Sequence, residues 1–168
     1  MYKQTNFLVT FFSSAFLLQA CSQQPDTAAK AQLDATKVEA DIAKAQADGQ
    51  KKVIDAQAKL DQVVAQNNKA VVGAQADAQT QAASNPNAPP PAANADVAKT
   101  RNEADKKIAD AQYDVDKAKA EADKQVAEAR CETQSGATND ACVARAKSGY
   151  ESAVAAAKAK NDAARATN

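Results

Sequence analysis

The covalent chemistry open to this chain rests on three cysteines, Cys21, Cys131 and Cys142, because the sequence holds no histidine and no tryptophan and its one methionine is Met1. Cys131 and Cys142 flank the ten residues Glu-Thr-Gln-Ser-Gly-Ala-Thr-Asn-Asp-Ala. Ser135-Gly136 is a turn signal, and Thr138 or Asn139 can cap a helix that follows. In an oxidising compartment an even pair of cysteines across such a turn bonds. Closing a loop of this size removes about 3 kcal/mol of entropy from the unfolded chain. Two other readings of the pair fare worse. Redox exchange favours Cys-x-x-Cys spacing and a basic surrounding, and here only Arg130 adjoins the pair. A metal site needs further ligands, for which histidine is missing. The pair therefore reads as a staple at the base of a two-helix hairpin.

Other catalytic arrangements are not legible. Glycines occur only at 49, 73, 136 and 149, so no glycine-rich loop can cradle a phosphate. Carboxylates are plentiful but are expected to sit in water on thin helices. The sequence points to no enzyme, no cofactor, no metal and no small-molecule substrate.

Cys21 stands in a different context. Lys3 precedes the apolar run Phe7 to Leu18, which contains all four phenylalanines of the chain. About twelve residues cannot cross a hydrocarbon core of roughly 30 Å as a lasting anchor, but they suit a signal peptide. The residues that follow, Leu18-Gln19-Ala20-Cys21, resemble the lipobox of bacterial lipoproteins: an aliphatic residue, a variable one, a small one, then cysteine. That resemblance implies cleavage between Ala20 and Cys21, a diacylglyceryl group on the Cys21 thiol, and acylation of the new amino terminus. Several acyl chains hold a protein firmly where one would not. Ser22, rather than aspartate, follows the cysteine, which by the same resemblance directs the protein to the outer membrane, facing the periplasm. The competing reading is an ordinary secretory signal cut at an alanine site, with Cys21 a chance thiol. Braun-type lipoproteins join peptidoglycan through a terminal lysine; this sequence closes Ala-Thr-Asn, so no such linkage is expected.

Beyond residue 20 the composition limits what these cysteines can be attached to. Leucine, isoleucine and valine are too few to build a compact core against chain entropy. Alanine dominates, and Lys, Glu, Gln and Arg follow it among helix formers. Basic and acidic side chains balance at 21 each over the whole chain, so neither a basic nucleic-acid face nor the charge excess typical of disorder is present. Long, thin, exposed helices satisfy all three facts. The expected class is all-α, with extended helices, a low-complexity linker between two halves and a stapled C-terminal hairpin.

The expected organisation is a signal peptide over 1–20, a lipidated tether over 21–26, a long helix over 27–84, a linker over 85–94 and the hairpin over 95–168. In the first helix an eleven-residue recurrence aligns Val38, Gly49, Leu60 and Val71 in one row and Ile42, Val53 and Val64 in another. Eleven residues make three turns, so both rows stay on one side of a nearly straight helix. Ile54, Val63 and Val72 are read as widening that stripe, and Gly49, Asn67-Asn68 and Gly73 as points where the helix can bend. Asn85-Pro86-Asn87-Ala88-Pro89-Pro90-Pro91 interrupts it, since proline lacks the amide donor. Asn94 is the expected cap of a second helix whose stripe is Ala104, Ile108, Ala111, Val115, Ala118, Ala122, Val126 and Ala129. Glu103–Lys107, Lys106–Asp110, Lys117–Glu121 and Lys124–Glu128 fall at i,i+4 along it. Asn139 or Asp140 opens the third helix, with stripe Val143, Ala146, Tyr150, Val154 and Ala157. The two stripes of the hairpin are expected to face each other, with the first helix swinging freely on its linker.

The segment from Cys131 to Cys142, followed by Val-Ala-Arg-Ala-Lys147, resembles a group of small Ala/Lys-rich proteobacterial envelope proteins labelled as like the helical TolA protein. The likeness covers roughly residues 96–160 and implies no catalytic or binding residue. Together with the lipobox it implies a lipid-anchored structural spacer or protein-interaction element, bound to the membrane through Cys21 and able to self-associate or meet an envelope partner. The alternative is a loosely folded, stress-protective chain similar to late-embryogenesis-abundant proteins, which also use eleven-residue Ala/Lys/Asp/Glu repeats.

Overall fold

A computed structural model describes residues 25–84 and 91–166. They form three α-helices in chain order: α1 (Pro25–Ser84), α2 (Pro91–Cys131) and α3 (Ala137–Ala166). No strand occurs among the described residues. The all-α reading therefore holds, and the long helices, the C-terminal hairpin and its disulfide are all present.

The helix starts fall earlier than the cap residues suggest. α1 begins at Pro25 and α2 at Pro91, so Pro91 belongs to a helix and not to the linker. Proline is favoured in the first helical turn, where its missing N–H would have no partner and its fixed φ suits the helix. α3 begins at Ala137, just after Gly136, which turns the chain with φ 58°, a conformation open to glycine without strain.

α1 does not swing free. It runs antiparallel along α2, so that Gly49 lies on Ala122 and Asn67 reaches Ala104. The buried and half-buried positions of α1 include Val38, Ile42, Ala45, Gly49, Val53, Ala56, Leu60, Val64, Asn67, Val71, Gln75 and Ala78. These repeat at offsets of four, seven and eleven. A third row, Ala45, Ala56, Asn67 and Ala78, thus joins the two expected from the sequence. The row hid because alanine and asparagine give no hydropathy signal against an alanine-rich background.

The α2 stripe is real, but it faces α1. Ala104 and Ala122 both meet α1, and Val115, in the same row, is fully buried. A second face of α2 receives α3, through Cys131, Asp110 and Asp116. Ala122 and Cys131 are nine residues apart, two and a half turns, and so stand on opposite sides of the helix. α2 is the middle helix of a raft, and among the described residues α1 and α3 do not pack on each other. The expectation that the hairpin stripes pair with each other failed because hydropathy marks the deepest face, and α2 has two faces to cover.

Two further expectations are corrected. Ile54 and Val72 do not widen the buried stripe: they are 66% and 63% exposed. Gly49 and Asn67 are not bends in α1, which continues unbroken through them and through Gly73. They are contact points. A Cβ at Gly49 would stand 2.6 Å from the Ala122 Cβ and 3.0 Å from its Cα, so only glycine allows the backbones this close. α3 likewise continues through Gly149.

Candidate functional site

The disulfide turn is the most chemically specific place in the described residues. Cys131 is the last residue of α2 and Cys142 lies in the second turn of α3, with Cα atoms 5.6 Å apart and the sulfurs bonded. The turn satisfies the carbonyls that end α2. Glu132 N–H donates to Ala129 O at 3.3 Å, Thr133 N–H to Arg130 O at 3.4 Å and Gln134 N–H to Cys131 O at 2.9 Å. The Thr133 hydroxyl also donates to Arg130 O, at 2.9 Å, and Asn139 Nδ2 to Cys131 O at 2.7 Å. Asn139 thus ties the start of α3 to the end of α2 from inside the helix, instead of capping α3 as its type suggests. Asp140 N–H closes the first turn on Gly136 O at 3.1 Å.

The two sulfurs sit in unlike settings. Cys131 is 1% exposed, whereas Cys142 is half-buried. Cys142 is therefore the more open of the two residues to an attacking thiolate, which would expel Cys131 at the negative end of the α2 dipole. A charge there is disfavoured, so reduction by the accessible route expels the poorer leaving group. This arrangement suits a staple more than an exchange site.

Ion pairs mark the two seams. Lys52 donates to Glu121 at 2.7 Å across α1–α2. Across α2–α3, Arg165 Nη1 donates to both Asp110 oxygens at 2.7 Å, Asn161 Nδ2 donates to Asp110 at 3.1 Å, and Lys160 lies 3.8 Å from Asp116. Asp110 and Glu121 were expected to pair along α2 with Lys106 and Lys117, but they reach across to neighbouring helices. The expected Lys124–Glu128 pair is made, at 2.9 Å. The Arg165 hydrogen bond holds the Asp110 carboxyl below its ordinary range; partial burial opposes it, and Asn161 and the Arg165 charge reinforce it. The Lys52 hydrogen bond lowers Glu121 in the same way, again against partial burial and helped by the charges of Lys52, Lys117 and Lys124. Lys158 is held above its ordinary range by its hydrogen bond to Asp162.

The α1–α2 seam separates two unlike surfaces. On one side Lys37, Asp41, Lys44, Asp48 and Lys51 line a groove with Glu128 and Glu132. On the other, Val53, Ile54, Ala122 and Val126 form a shallow apolar trough bordered by Lys119, Asp123 and Arg130. Neither is an enclosed cavity. Among the described residues no group of three or more His, Cys, Asp or Glu is placed to hold a metal ion. No described helix is long and apolar enough to cross a membrane.

The structure brings Cys131 and Cys142 together as the sequence reading expected. Ala20 and Cys21, the cleavage and lipidation residues, lie outside the described residues, as do the apolar run and Ser22. Asn67 and the cross-seam carboxylates are contact residues that sequence reasoning missed, and Gly49, which it placed in the stripe, is a contact where a bend was expected. The eleven-residue period carried a usable signal for Asn67 too, since Ala45, Ala56, Asn67 and Ala78 repeat at the same interval. Comparison with known families, with characterised proteins and with solved structures finds no match for this chain.

Proposed function

We propose that this chain is a lipid-anchored bacterial envelope protein, held in the outer membrane through Cys21 and serving as a rigid helical spacer or protein-interaction element in the periplasm. The observation that carries the reading is Leu18-Gln19-Ala20-Cys21 closing a short apolar run, directly ahead of a helical rod in which no described helix is long and apolar enough to cross a membrane. The disulfide adds support, because bonded cysteines belong to oxidising compartments. The likeness of the Cys131–Cys142 turn to TolA-like envelope proteins points to the same place. The continuous α1–α2 seam, with its glycine contact and buried Asn67 bond, favours a packed strut over a loosely folded protective chain.

The deciding experiment is metabolic labelling with a fatty-acid analogue in a double-membrane bacterium expressing the full chain. The intact sequence should be labelled, processed and recovered with outer membranes. Cys21→Ser should abolish the label and accumulate precursor. Normal processing and membrane recovery of that variant would defeat the reading. Far-ultraviolet circular dichroism of residues 22–168 in dilute buffer separates strut from protective coil: a helical spectrum is expected, not a coil that orders only on drying.

A further inference from the structure

We infer that the anchored molecule has a fixed direction: the disulfide turn faces the bilayer, and the junction of α1 with α2 is the end held out from it. The inference rests on anchoring at Cys21, proposed above, and takes its geometry from the raft. α1 and α2 are antiparallel, so the end of α2 that carries the turn lies beside α1 near Lys37, Asp41 and Lys44. Asp34, Lys37 and Val38 of α1 stand against Glu132, Thr133 and Ser135 of the turn. Residues of α1 before Asp34 run past that turn, toward the anchor. Three residues, Ser22 to Gln24, separate Cys21 from Pro25, and the four steps between their Cα atoms span at most about 14 Å. The turn and the lipid therefore belong to the same end, while Ser84 and Pro91 mark the opposite one.

Helix lengths give the reach. α1 has 60 residues, which at 1.5 Å each is about 90 Å. α3 has 30 residues, about 45 Å, and lies antiparallel to α2 from the turn upward. It braces the membrane-side half of the rod and stops near Asp110, where Arg165 is bound. The outer half is α1 and α2 alone. A contact made by that half is made tens of ångströms from the bilayer, and the staple strengthens the part that must bear on the anchor.

The described sides of the raft carry charges of both signs. A helix that lies in an interface needs a broad apolar face bordered by basic residues. Here the apolar trough around Ile54 is narrow and its border mixes Lys119 and Arg130 with Asp123, and the groove on the other side of the seam alternates lysine with aspartate and glutamate. With mixed charge along both sides, the rod stands away from the surface.

Fluorescence energy transfer on vesicles tests this. The chain from Cys21 onward, with Cys131–Cys142 oxidised, would be coupled through its free Cys21 thiol to a maleimide lipid in phosphatidylethanolamine/phosphatidylglycerol vesicles carrying a headgroup acceptor. A donor would be placed, through an unnatural amino acid, at Gln134 in the turn or at Gln81 near the end of α1. Transfer from Gln134 is expected to exceed transfer from Gln81 several-fold. Equal transfer from the two would mean a rod lying flat, and greater transfer from Gln81 a reversed one; either overturns the inference. Because the lipid is attached chemically, this result is independent of whether cells acylate Cys21, which the labelling experiment decides by itself.

Discussion

Gly49 and Gly73 lie in the same helix, and alanine at each is expected to act with opposite sign. Both substitutions gain about 1 kcal/mol of helix propensity. At Gly73 nothing lies within 4 Å of the new methyl, so the gain is realised and the melting temperature rises. At Gly49 the methyl meets the Ala122 Cβ at 2.6 Å, and its next neighbour is backbone, which cannot rotate away. The seam must open, at a net loss of about 1–3 kcal/mol. Thermal melts followed at 222 nm distinguish the two; a stabilised Gly49→Ala would show that the helices do not cross there. Asn67 gives a second residue-scale test. Its Nδ2 donates to Ala104 O at 3.0 Å inside the seam, whereas Asn68 beside it is exposed. Asn67→Ala should lose about 1 kcal/mol, and Asn68→Ala no more than a few tenths.

At the scale of elements, α3 is the helix most dependent on covalent help. Among the described residues it packs on α2 alone, through a face of alanines with Tyr150 and Val154, and through ion pairs that are largely exposed. Such pairs contribute a few tenths of a kcal/mol each. The disulfide, at about 3 kcal/mol, outweighs them. Cys131→Ser with Cys142→Ser should therefore increase amide exchange throughout 137–166 while leaving the α1–α2 seam protected. Uniform loss over all three helices would mean that α3 is integral to the core. The carboxylates set an acid limit. Asp110 and Glu121 have folded-state pKa values below their ordinary 3.8 and 4.5. A lowered carboxylate stabilises fully above its unfolded pKa, and that contribution fades as pH falls through the folded value. The double variant Lys52→Gln, Arg165→Gln should thus melt below the native chain at neutral pH, with the gap closing as pH drops beneath about 4. A gap that persists unchanged in acid would mean these bonds are not the source of the difference.

For the whole molecule, shape and interdependence are the measurable properties. A rod about 90 Å long has a radius of gyration near 26 Å, against about 15 Å for a compact chain of similar size, and small-angle scattering separates the two. The raft also joins what the sequence seemed to divide. Val115 is fully buried in the row of α2 whose Ala104 and Ala122 meet α1, so a fragment of α2 and α3 alone would expose it along with the rest of that stripe. Removing residues 22–84 should lower the melting temperature of the remaining hairpin or make it self-associate, as followed by sedimentation. An unchanged monomeric hairpin would show that α1 contributes nothing to it.

Composition and periodicity were enough to determine the helices, their approximate limits, the eleven-residue face of α1 and the pairing of Cys131 with Cys142. These are local properties: alanine and its neighbours favour helix, proline and glycine interrupt it, and two cysteines across a short turn have little choice of partner. Which stripe meets which helix was decided only in three dimensions. The α2 stripe from Ala104 to Ala129 is the most apolar face available, and it packs on α1, whose Gly49 and Asn67 let the backbones approach and fix the register. α3 takes the second, more polar face of α2 because the staple at Cys131 holds it there and Asp110 and Asp116 supply its partners. Alanine makes the helix certain but the pairing ambiguous, since a small side chain fits almost any neighbour and buries too little area to select one.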